Sequence, residues 1–224
     1  MKQVLDCGYV DLIETWGSDE RIIEAARMST NKGFQGWDTD AKLLAYLWNN
    51  KHATPFEMAG MVIEVKAPIF VFREWHRHRT QSYNEMSARY TPLPDENYEP
   101  DLSNLMQRGN ASTANKQAQG YGGLQEDHAK LWIDALGELY RHAQAVYEQG
   151  LAVGVPKELA RLPLPVARYS KMRASANLRN WLAFLTLRMA PNAQWEIRQF
   201  ADAVGTFIAE QFPRTWALFL KETT

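Results

Sequence analysis

The sequence has almost no cysteine. Among its 224 residues only Cys7 carries a thiol, so the chain can form neither an intramolecular disulfide nor a metal site made of several thiolates. A lone thiol is typical of proteins in a reducing compartment. Cys7 lies in an apolar stretch, with no basic residue after Lys2 to lower the pKa of its thiol. We therefore interpret Cys7 as a structural or incidental residue and not as a nucleophile.

Long apolar runs and an excess of one charge are also missing. Charged residues interrupt each apolar stretch before it can cross a bilayer, and the first residues lack the basic and apolar regions of a signal peptide. We therefore predict a cytoplasmic protein. Because 25 Lys and Arg nearly balance 26 Asp and Glu, no global positive field exists to hold a nucleic acid or an anionic membrane. Any anion must be bound by a local cluster.

What remains is the composition of an ordinary globular protein, with 46% hydrophobic and 23% charged residues. Helical periodicity dominates, and two shorter segments favour strands. We predict an α+β fold with one domain over residues 1–224, rich in helices around a smaller central antiparallel or mixed sheet. The predicted helices span 19–30, a segment from 39 that ends before Pro55, 68–79, 126–149, 177–189 and 194–220, and the predicted strands span 61–65 and 166–174.

Residues 95–125 differ from the rest of the chain. They are poor in large apolar side chains and rich in Asn, Gln, Gly and Asp. A segment of that composition adds little to a hydrophobic core. We predict a long, polar, mobile excursion here, and we place no domain boundary in it.

A local cluster of cations lies between Arg73 and Tyr90. The segment contains four arginines and two histidines but only two carboxylates. The rigid fork of arginine donates paired hydrogen bonds to phosphate, and its face stacks on planar rings. The polar residues that follow, from Ser82 to Ser87, favour a loop that presents backbone N–H groups to an anion. A basic helix end followed by a solvated loop is the alternative that residue chemistry alone leaves open.

The spacing within this cluster is specific. The stretch from Arg77 to Arg89 matches every fixed position of R-H-R-x-x-S-x-N-E-x-S-x-R, the signature of flavin-dependent thymidylate synthases. The resemblance extends to His52 with residues 54–57, to residues 161–165 and to residues 193–197. The chain is therefore similar to that family from its early helix to its last one.

The resemblance implies an FAD cofactor bound at an interface of a homotetramer. The chain has no G-x-G-x-x-G fingerprint of a dinucleotide-binding fold, which agrees with it. His52 is expected to lie near the flavin or the folate, although a loop histidine that packs under the motif is an equal alternative on residue chemistry alone. The FAD ligands implied are Thr54, Arg77, His78, Arg79, Glu85, Asn177 and Arg179.

The resemblance also implies a dUMP site. Arg89 and Arg161 are expected to meet the phosphate, with Arg161 entering from another subunit. Arg188 is expected to contact the uracil ring and to be the principal catalytic residue, because a guanidinium beside the ring favours its anion. Without the resemblance, an arginine extending from an apolar helix is the preferred interpretation of Arg188. The dUMP ligands implied are Glu74, Trp75, Arg77, Glu85, Met86, Ser87, Ala88, Arg89, Arg161 and Arg188.

The implied reaction needs no cysteine. Methylenetetrahydrofolate supplies the carbon, reduced FAD supplies a hydride, and NADPH reduces the FAD, so that dUMP becomes dTMP without a thiolate adduct. We assign Ser87 to binding, since an unassisted serine is a poor nucleophile at neutral pH. No metal, nucleic acid or membrane is implied as a partner.

Three positions depart from several relatives. Asn192 stands where relatives carry histidine, Ala183 where some carry an amide, and Glu74 where some carry glutamine. The first two remove a polar contact to FAD, and the third places a carboxylate near an anionic nucleotide. Two alternative functions stay open: an NADPH oxidase of the same fold, and a nucleic-acid-binding module that would use the aromatic residues of the basic segment.

Overall fold

A five-stranded antiparallel sheet lies at the centre of the structure, a computed structural model that describes residues 1–108 and 122–223. Its strands run in the spatial order β1-β2-β3-β5-β4, so the last strand along the chain is inserted between β3 and β4. Each hydrogen-bonded pair is antiparallel. The strands are β1 (Lys2–Val4), β2 (Gly8–Trp16), β3 (Gly60–Pro68), β4 (Ser82–Glu85) and β5 (Tyr169–Asn177).

Helices follow the strands along the chain and cover one face of the sheet. Buried residues of β3, such as Met61, Ile63 and Val65, alternate with half-buried ones, and this alternation places every second side chain in the core. Trp181 and Phe200 from two helices lie in the same core. The helices are α1 (Asp19–Arg27), α2 (Trp37–Asn49), α3 (Ile69–Trp75), α4 (Leu102–Arg108), α5 (Glu126–Ala152), α6 (Lys157–Ala160), α7 (Leu178–Arg188), α8 (Trp195–Gln211) and α9 (Pro213–Thr223), with 3-10 turns at Met28–Thr30 and Thr54–Met58.

Most predicted helices are confirmed, with different ends. Ser18 accepts a hydrogen bond from the backbone N–H of Arg21 at 3.3 Å and caps α1 as its sequence indicates. The predicted helix 194–220 is two helices, because Pro213 has no N–H to continue α8 and instead begins α9. Of the described residues, none belongs to a helix long and apolar enough to cross a membrane.

Three segments differ from the prediction. The run from Ser82 to Glu85, predicted to be a loop, is the edge strand β4, because its backbone pairs with β5. The strands β1 and β2 have no counterpart among the predicted elements. In the predicted excursion, Leu102–Arg108 forms α4, which packs on α5, while residues 109–121 lie outside the described residues.

Candidate active site

The first half of the arginine-rich motif is held in a tight turn between α3 and β4. The backbone N–H groups of Arg77 and His78 donate to the carbonyl oxygens of Glu74 and Trp75, at 3.2 and 3.0 Å. The Tyr83 hydroxyl donates to the carbonyl oxygens of Trp75 and His78, at 3.1 and 2.7 Å. Burial raises the pKa of Tyr83 above its ordinary value, so the hydroxyl keeps its proton. These bonds fix the position of His78 relative to the helix before it.

Arg188, the last residue of α7, is bound to this turn by all three of its guanidinium nitrogens. Its Nε donates to Nε2 of His78 at 2.8 Å, its Nη1 donates to Oε2 of Glu74 at 3.2 Å, and its Nη2 donates to the Glu74 carbonyl oxygen at 3.2 Å. The Arg188 side chain is 19% exposed. We call Glu74, His78 and Arg188 the arginine cluster.

The arginine cluster requires a neutral histidine. Burial, and then the charge of Arg188, lower the pKa of His78 from its ordinary 6.5 to about 4. At neutral pH the imidazole is therefore uncharged. Since Nε2 accepts the bond from Arg188, the ring proton is assigned to Nδ1.

The second half of the motif lines a cavity of about 320 Å³, which we call the loop cavity. Its wall joins the motif loop to Arg161, which follows α6, and to Ser170 of β5. The Met86 N–H donates to the Lys171 carbonyl oxygen at 2.8 Å and so extends the edge pairing of β4 into the loop. The lining residues are Ile69, Glu85, Met86, Ser87, Ala88, Leu93, Arg161, Leu164 and Ser170.

Two arginines expected to meet a phosphate lie near one another in the chain's own fold. Arg161 lines the loop cavity together with the motif loop of the same chain, and its entry into a neighbouring subunit's site stays a prediction, because the structure describes one chain. Arg89 pairs through its Nε with Oε2 of Glu158 on α6 at 3.3 Å, and both side chains are half exposed. Exposed pairs of this kind contribute little free energy, so an anionic ligand can replace Glu158 at low cost.

A larger cavity of about 440 Å³ opens between α2, α7 and α9, and we call it the helix cavity. His52 lines it, as do Arg179 and Ala183 of α7. Nη1 of Arg179 lies 2.5 Å from Oε1 of Glu57 and is oriented by it. The other lining residues are Leu47, Trp48, Lys51, Ala53, Phe56, Leu182, Thr186, Phe219 and Glu222. A mostly apolar wall with a few polar groups is typical of a site for a planar ring.

One predicted ligand is misplaced. The Trp75 side chain is fully buried, stacks on Phe184 with ring centroids 4.5 Å apart, and donates from Nε1 to Oε1 of Gln81 at 3.1 Å. The prediction that Trp75 borders the nucleotide site is therefore wrong for its side chain. Its role is to support the turn that carries His78.

The remaining predicted residues are distributed over the surface near these features. Thr54, Arg77 and Arg79 are exposed, and Asn177 caps α7 by accepting from the Asn180 N–H at 3.0 Å. In the described part of one chain, the other predicted site residues, apart from Trp75 and Arg89, form three groups: the arginine cluster, the loop cavity and the helix cavity. Among the described residues, the side-chain hydrogen bonds of Arg188 go to Glu74 and His78 and to no residue of the loop cavity.

Sequence reasoning missed two contributors. Tyr83 occupies an unspecified position of the motif, yet its hydroxyl holds the turn; its place between two fixed motif residues was the available signal. Glu57 pairs with Arg179 and orients it. The resemblance around residues 54–57 includes Glu57, but it does not indicate that Arg179 is its partner.

The antiparallel sheet, the basic turn and the two cavities define an α+β protein whose cavities are not built on a dinucleotide-binding fold. The family model described as thymidylate synthase complementing protein matches residues 11–214. The chain belongs to this family, the flavin-dependent thymidylate synthases, and is a flavin-dependent methyltransferase.

Individual relatives agree over almost the whole chain. A flavin-dependent thymidylate synthase of Thermus thermophilus is 41% identical over 216 residues, which cover 96% of this chain and 77% of the relative. One from Thermosipho melanesiensis is 37% identical and covers 98% and 93%. The crystal structure of the UMP/dUMP methylase PolB from Streptomyces cacaoi, bound with 5-bromo-dUMP, is similar with a TM-score of 0.86 and 32% identity, covering 99% of this chain and 97% of that one.

Proposed function

We propose that this enzyme converts dUMP to dTMP, with methylenetetrahydrofolate as carbon donor and with FAD that NADPH reduces. One observation carries the proposal: the signature segment folds into a basic turn bound to Arg188 and a loop that shares a cavity with Arg161. The Thermus relative bears the name of this activity, and the PolB structure contains a brominated dUMP.

The nucleotide is proposed to bind across the loop cavity and the arginine cluster. Arg89 and Arg161 supply two cations for the phosphate, and Ser87 supplies a hydroxyl. Arg188 contacts the uracil ring and stabilises the negative charge that develops on it as C5 attacks the carbon donor. The other proposed nucleotide ligands are Glu74, Arg77, Glu85, Met86 and Ala88.

The residues around the helix cavity fit a flavin. The amide oxygen of Asn177 is used in capping α7, which leaves its NH₂ group to donate, and Arg179 provides a cation at the cavity wall. Ala183 gives an apolar surface there and no polar contact. The proposed FAD ligands are Thr54, Arg77, His78, Arg79, Glu85, Asn177 and Arg179, with His52 beside the flavin or the folate. When bound and reduced, FAD supplies the hydride that completes the methyl group.

A thiolate step has no suitable residue in this chain. Burial, and then the nearby charges of Asp6 and Glu96, raise the pKa of the Cys7 thiol above its ordinary value. Cys7 is the single cysteine of the sequence, and it lines neither the loop cavity nor the helix cavity. Activation of uracil therefore depends on Arg188 and not on a covalent adduct.

A homotetramer, with sites at the subunit interfaces, completes the proposal. The resemblance to the family, which implies sites between subunits, supports it. The outward face of α5 supports it independently, because Trp132, Leu139 and Val146 recur at intervals of seven residues and are 47%, 56% and 41% exposed.

The spacing of the stripe favours a second copy as the occupant of that face. If two α5 helices pack antiparallel about Leu139, then Trp132 of one copy lies opposite Val146 of the other, since both are seven residues from Leu139 along the helix. The symmetric contact repeats on the other side of the axis. The apolar stripe therefore fits self-association.

The test is the conversion of dUMP by the purified protein. We expect visible flavin absorption, bleaching by NADPH without oxygen, and reoxidation with formation of dTMP when dUMP and methylenetetrahydrofolate are added. Arg188→Ala should lower dTMP formation by about 100-fold to 1,000-fold, as loss of an oriented charge donor does elsewhere. In the same variant NADPH should still bleach the flavin.

The two alternatives predict different results. Flavin reduction without dTMP in the wild type would leave an NADPH oxidase, in which Arg161 and Arg188 have no ligand. A colourless protein that takes up no added FAD would contradict the proposal. Steep salt dependence of nucleic-acid binding would then favour the nucleic-acid-binding alternative.

A further inference from the structure

The bonds of Arg188 leave a defined set of donors for a ligand. A guanidinium has five N–H groups. In the described structure three are used: Nε–H by His78, one on Nη1 by the Glu74 carboxylate and one on Nη2 by the Glu74 carbonyl oxygen. One N–H on Nη1 and one on Nη2 have no partner among the described residues. A pair of this kind matches two acceptors on the edge of a planar ring.

We propose that His78 is a positioning residue for Arg188, whose side-chain orientation it sets by accepting the Nε–H bond. This inference rests on the proposed function, in which Arg188 contacts the uracil ring. It adds to the proposed role of His78 as an FAD ligand, because the contact expected to act on kcat is the one to Arg188 and not one to the cofactor.

The surroundings of His78 suit a fixed acceptor. Its carbonyl oxygen accepts from the Tyr83 hydroxyl at 2.7 Å, its N–H donates to the Trp75 carbonyl oxygen at 3.0 Å, and its ring lies edge-on to Phe184 with centroids 4.9 Å apart. Backbone and ring are thus both held by the protein. The depressed pKa of His78 is consistent with this arrangement, because an imidazolium has no lone pair with which to accept.

Glu74 completes the orientation. Its carboxylate and its carbonyl oxygen hold the two terminal nitrogens of Arg188, so the guanidinium has three fixed contacts with the motif turn. Without the His78 acceptor, the Nε–H bond is lost and the guanidinium can rotate about its stem. We therefore expect the loss of His78 to act on the chemical step more than on nucleotide capture.

The experiment compares His78→Phe, which lacks an acceptor, with His78→Gln, whose amide oxygen can accept. The matched control is His76→Phe, because His76 lies two residues away, packs against Tyr83 and Met172, and has no contact with Arg188. FAD affinity is measured by flavin fluorescence, and kcat and KM for dUMP are measured at saturating FAD. We expect His78→Phe to lower kcat at saturating FAD about 10-fold or more, a loss in the range of a positioning defect that weaker FAD binding does not explain.

His78→Gln should recover part of kcat, and His76→Phe should retain it. Combining His78→Phe with Arg188→Ala should lower kcat no further than Arg188→Ala alone, because residues that act through one contact are not additive. Multiplicative losses in the double variant would overturn the inference. So would weakened FAD binding in His78→Phe with full kcat at saturating FAD.

A second readout needs no catalysis and separates this inference from the proposed function. Nitrogen-15 labelling of the histidines should show His78 as the neutral Nδ1–H tautomer at pH 7. Arg188→Ala should raise the pKa of His78, because it removes the nearby positive charge. A His78 resonance unchanged by Arg188→Ala would overturn the inference even if dTMP is formed, and a shifted resonance without dTMP would refute only the proposed function.

Discussion

The Nε atom of Arg188 lies 2.8 Å from Nε2 of His78, although 110 positions separate the two residues in sequence. This bond joins the end of α7 to the turn between α3 and β4. Arg188 lies outside the signature, and it contacts His78, the second residue of the R-H-R triplet with which the signature begins. The expected catalytic charge is thus positioned by the motif itself.

Glu74→Gln tests the carboxylate in the arginine cluster. The amide oxygen of glutamine can still accept from Nη1 of Arg188, so we expect kcat to stay within about 3-fold. Removing a negative charge near an anionic nucleotide should lower KM for dUMP by about 3-fold to 10-fold, with a smaller effect at high salt. Steady-state kinetics at two salt concentrations measure both. An unchanged KM with a large loss of kcat would mean that the charge of Glu74, and not its geometry, orients Arg188.

The pKa of His78 predicts how stability changes with pH. Its folded value of about 4 lies below the ordinary 6.5, so between these values the unfolded chain binds a proton that the folded chain does not. The free energy of unfolding therefore falls as pH falls through this window, and the contribution of His78 is complete above pH 6.5. Urea unfolding of the wild type and His78→Gln at pH 7.5 and 5.0 measures it. The advantage of the wild type should shrink at pH 5.0, and a constant difference would contradict the depressed pKa.

The sequence predicted the chemistry of the site better than its geometry. The match to the family signature located the residues from Arg77 to Arg89, because a fixed series of side chains is visible in one dimension. The partners of Arg188 were not visible, since contacts over such a separation depend on how α7 packs on the sheet. Trp75 was predicted to be a dUMP ligand, and this too depends on the fold, because its proximity to Arg77 in sequence does not show which way its side chain faces.

Local patterns explain the rest of the agreement. The cap at Ser18 and the apolar periodicity of α5 are local signals, and both predicted helices exist. The strand β4 has none of the alternation of a strand, because it lies at the edge of the sheet and its residues are mostly exposed. Pairing with β5, and not side-chain burial, makes it a strand.

Leu139→Glu tests the proposed interface on α5. A charge at the centre of the apolar stripe should be tolerated by the single chain, because Leu139 is 56% exposed, but it should oppose packing against a second copy. Light scattering after size-exclusion chromatography should show a smaller assembly, with a parallel loss of dTMP formation. Met28→Glu is the control, since Met28 is exposed and lies outside α5. An unchanged mass for Leu139→Glu would exclude this face as the interface.

Asp19 is the subject of the last prediction, because it links two distant helices. Its side chain is 3% exposed and accepts hydrogen bonds from the N–H groups of Arg214 and Thr215 at 2.8 and 3.2 Å and from the Thr215 hydroxyl at 2.6 Å. These N–H groups lie in the first turn of α9, where the helix itself offers no acceptor. Asp19→Ala should therefore lower the free energy of unfolding by about 2–4 kcal/mol, since it leaves buried donors unpaired.

Ser18→Ala provides the matched control for that change. Ser18 also caps a helix, but its bond to the Arg21 N–H is 3.3 Å long and exposed, so its loss should cost only about 0.5–1 kcal/mol. Since α9 supplies Phe219 and Glu222 to the helix cavity, Asp19→Ala should also weaken FAD binding, whereas Ser18→Ala should not. Urea unfolding and FAD titration of both variants measure the two effects. Equal losses of stability in the two variants would show that the buried cap at α9 stabilises the fold no more than the exposed cap at α1. Equal FAD affinities would show that Asp19 does not support the helix cavity.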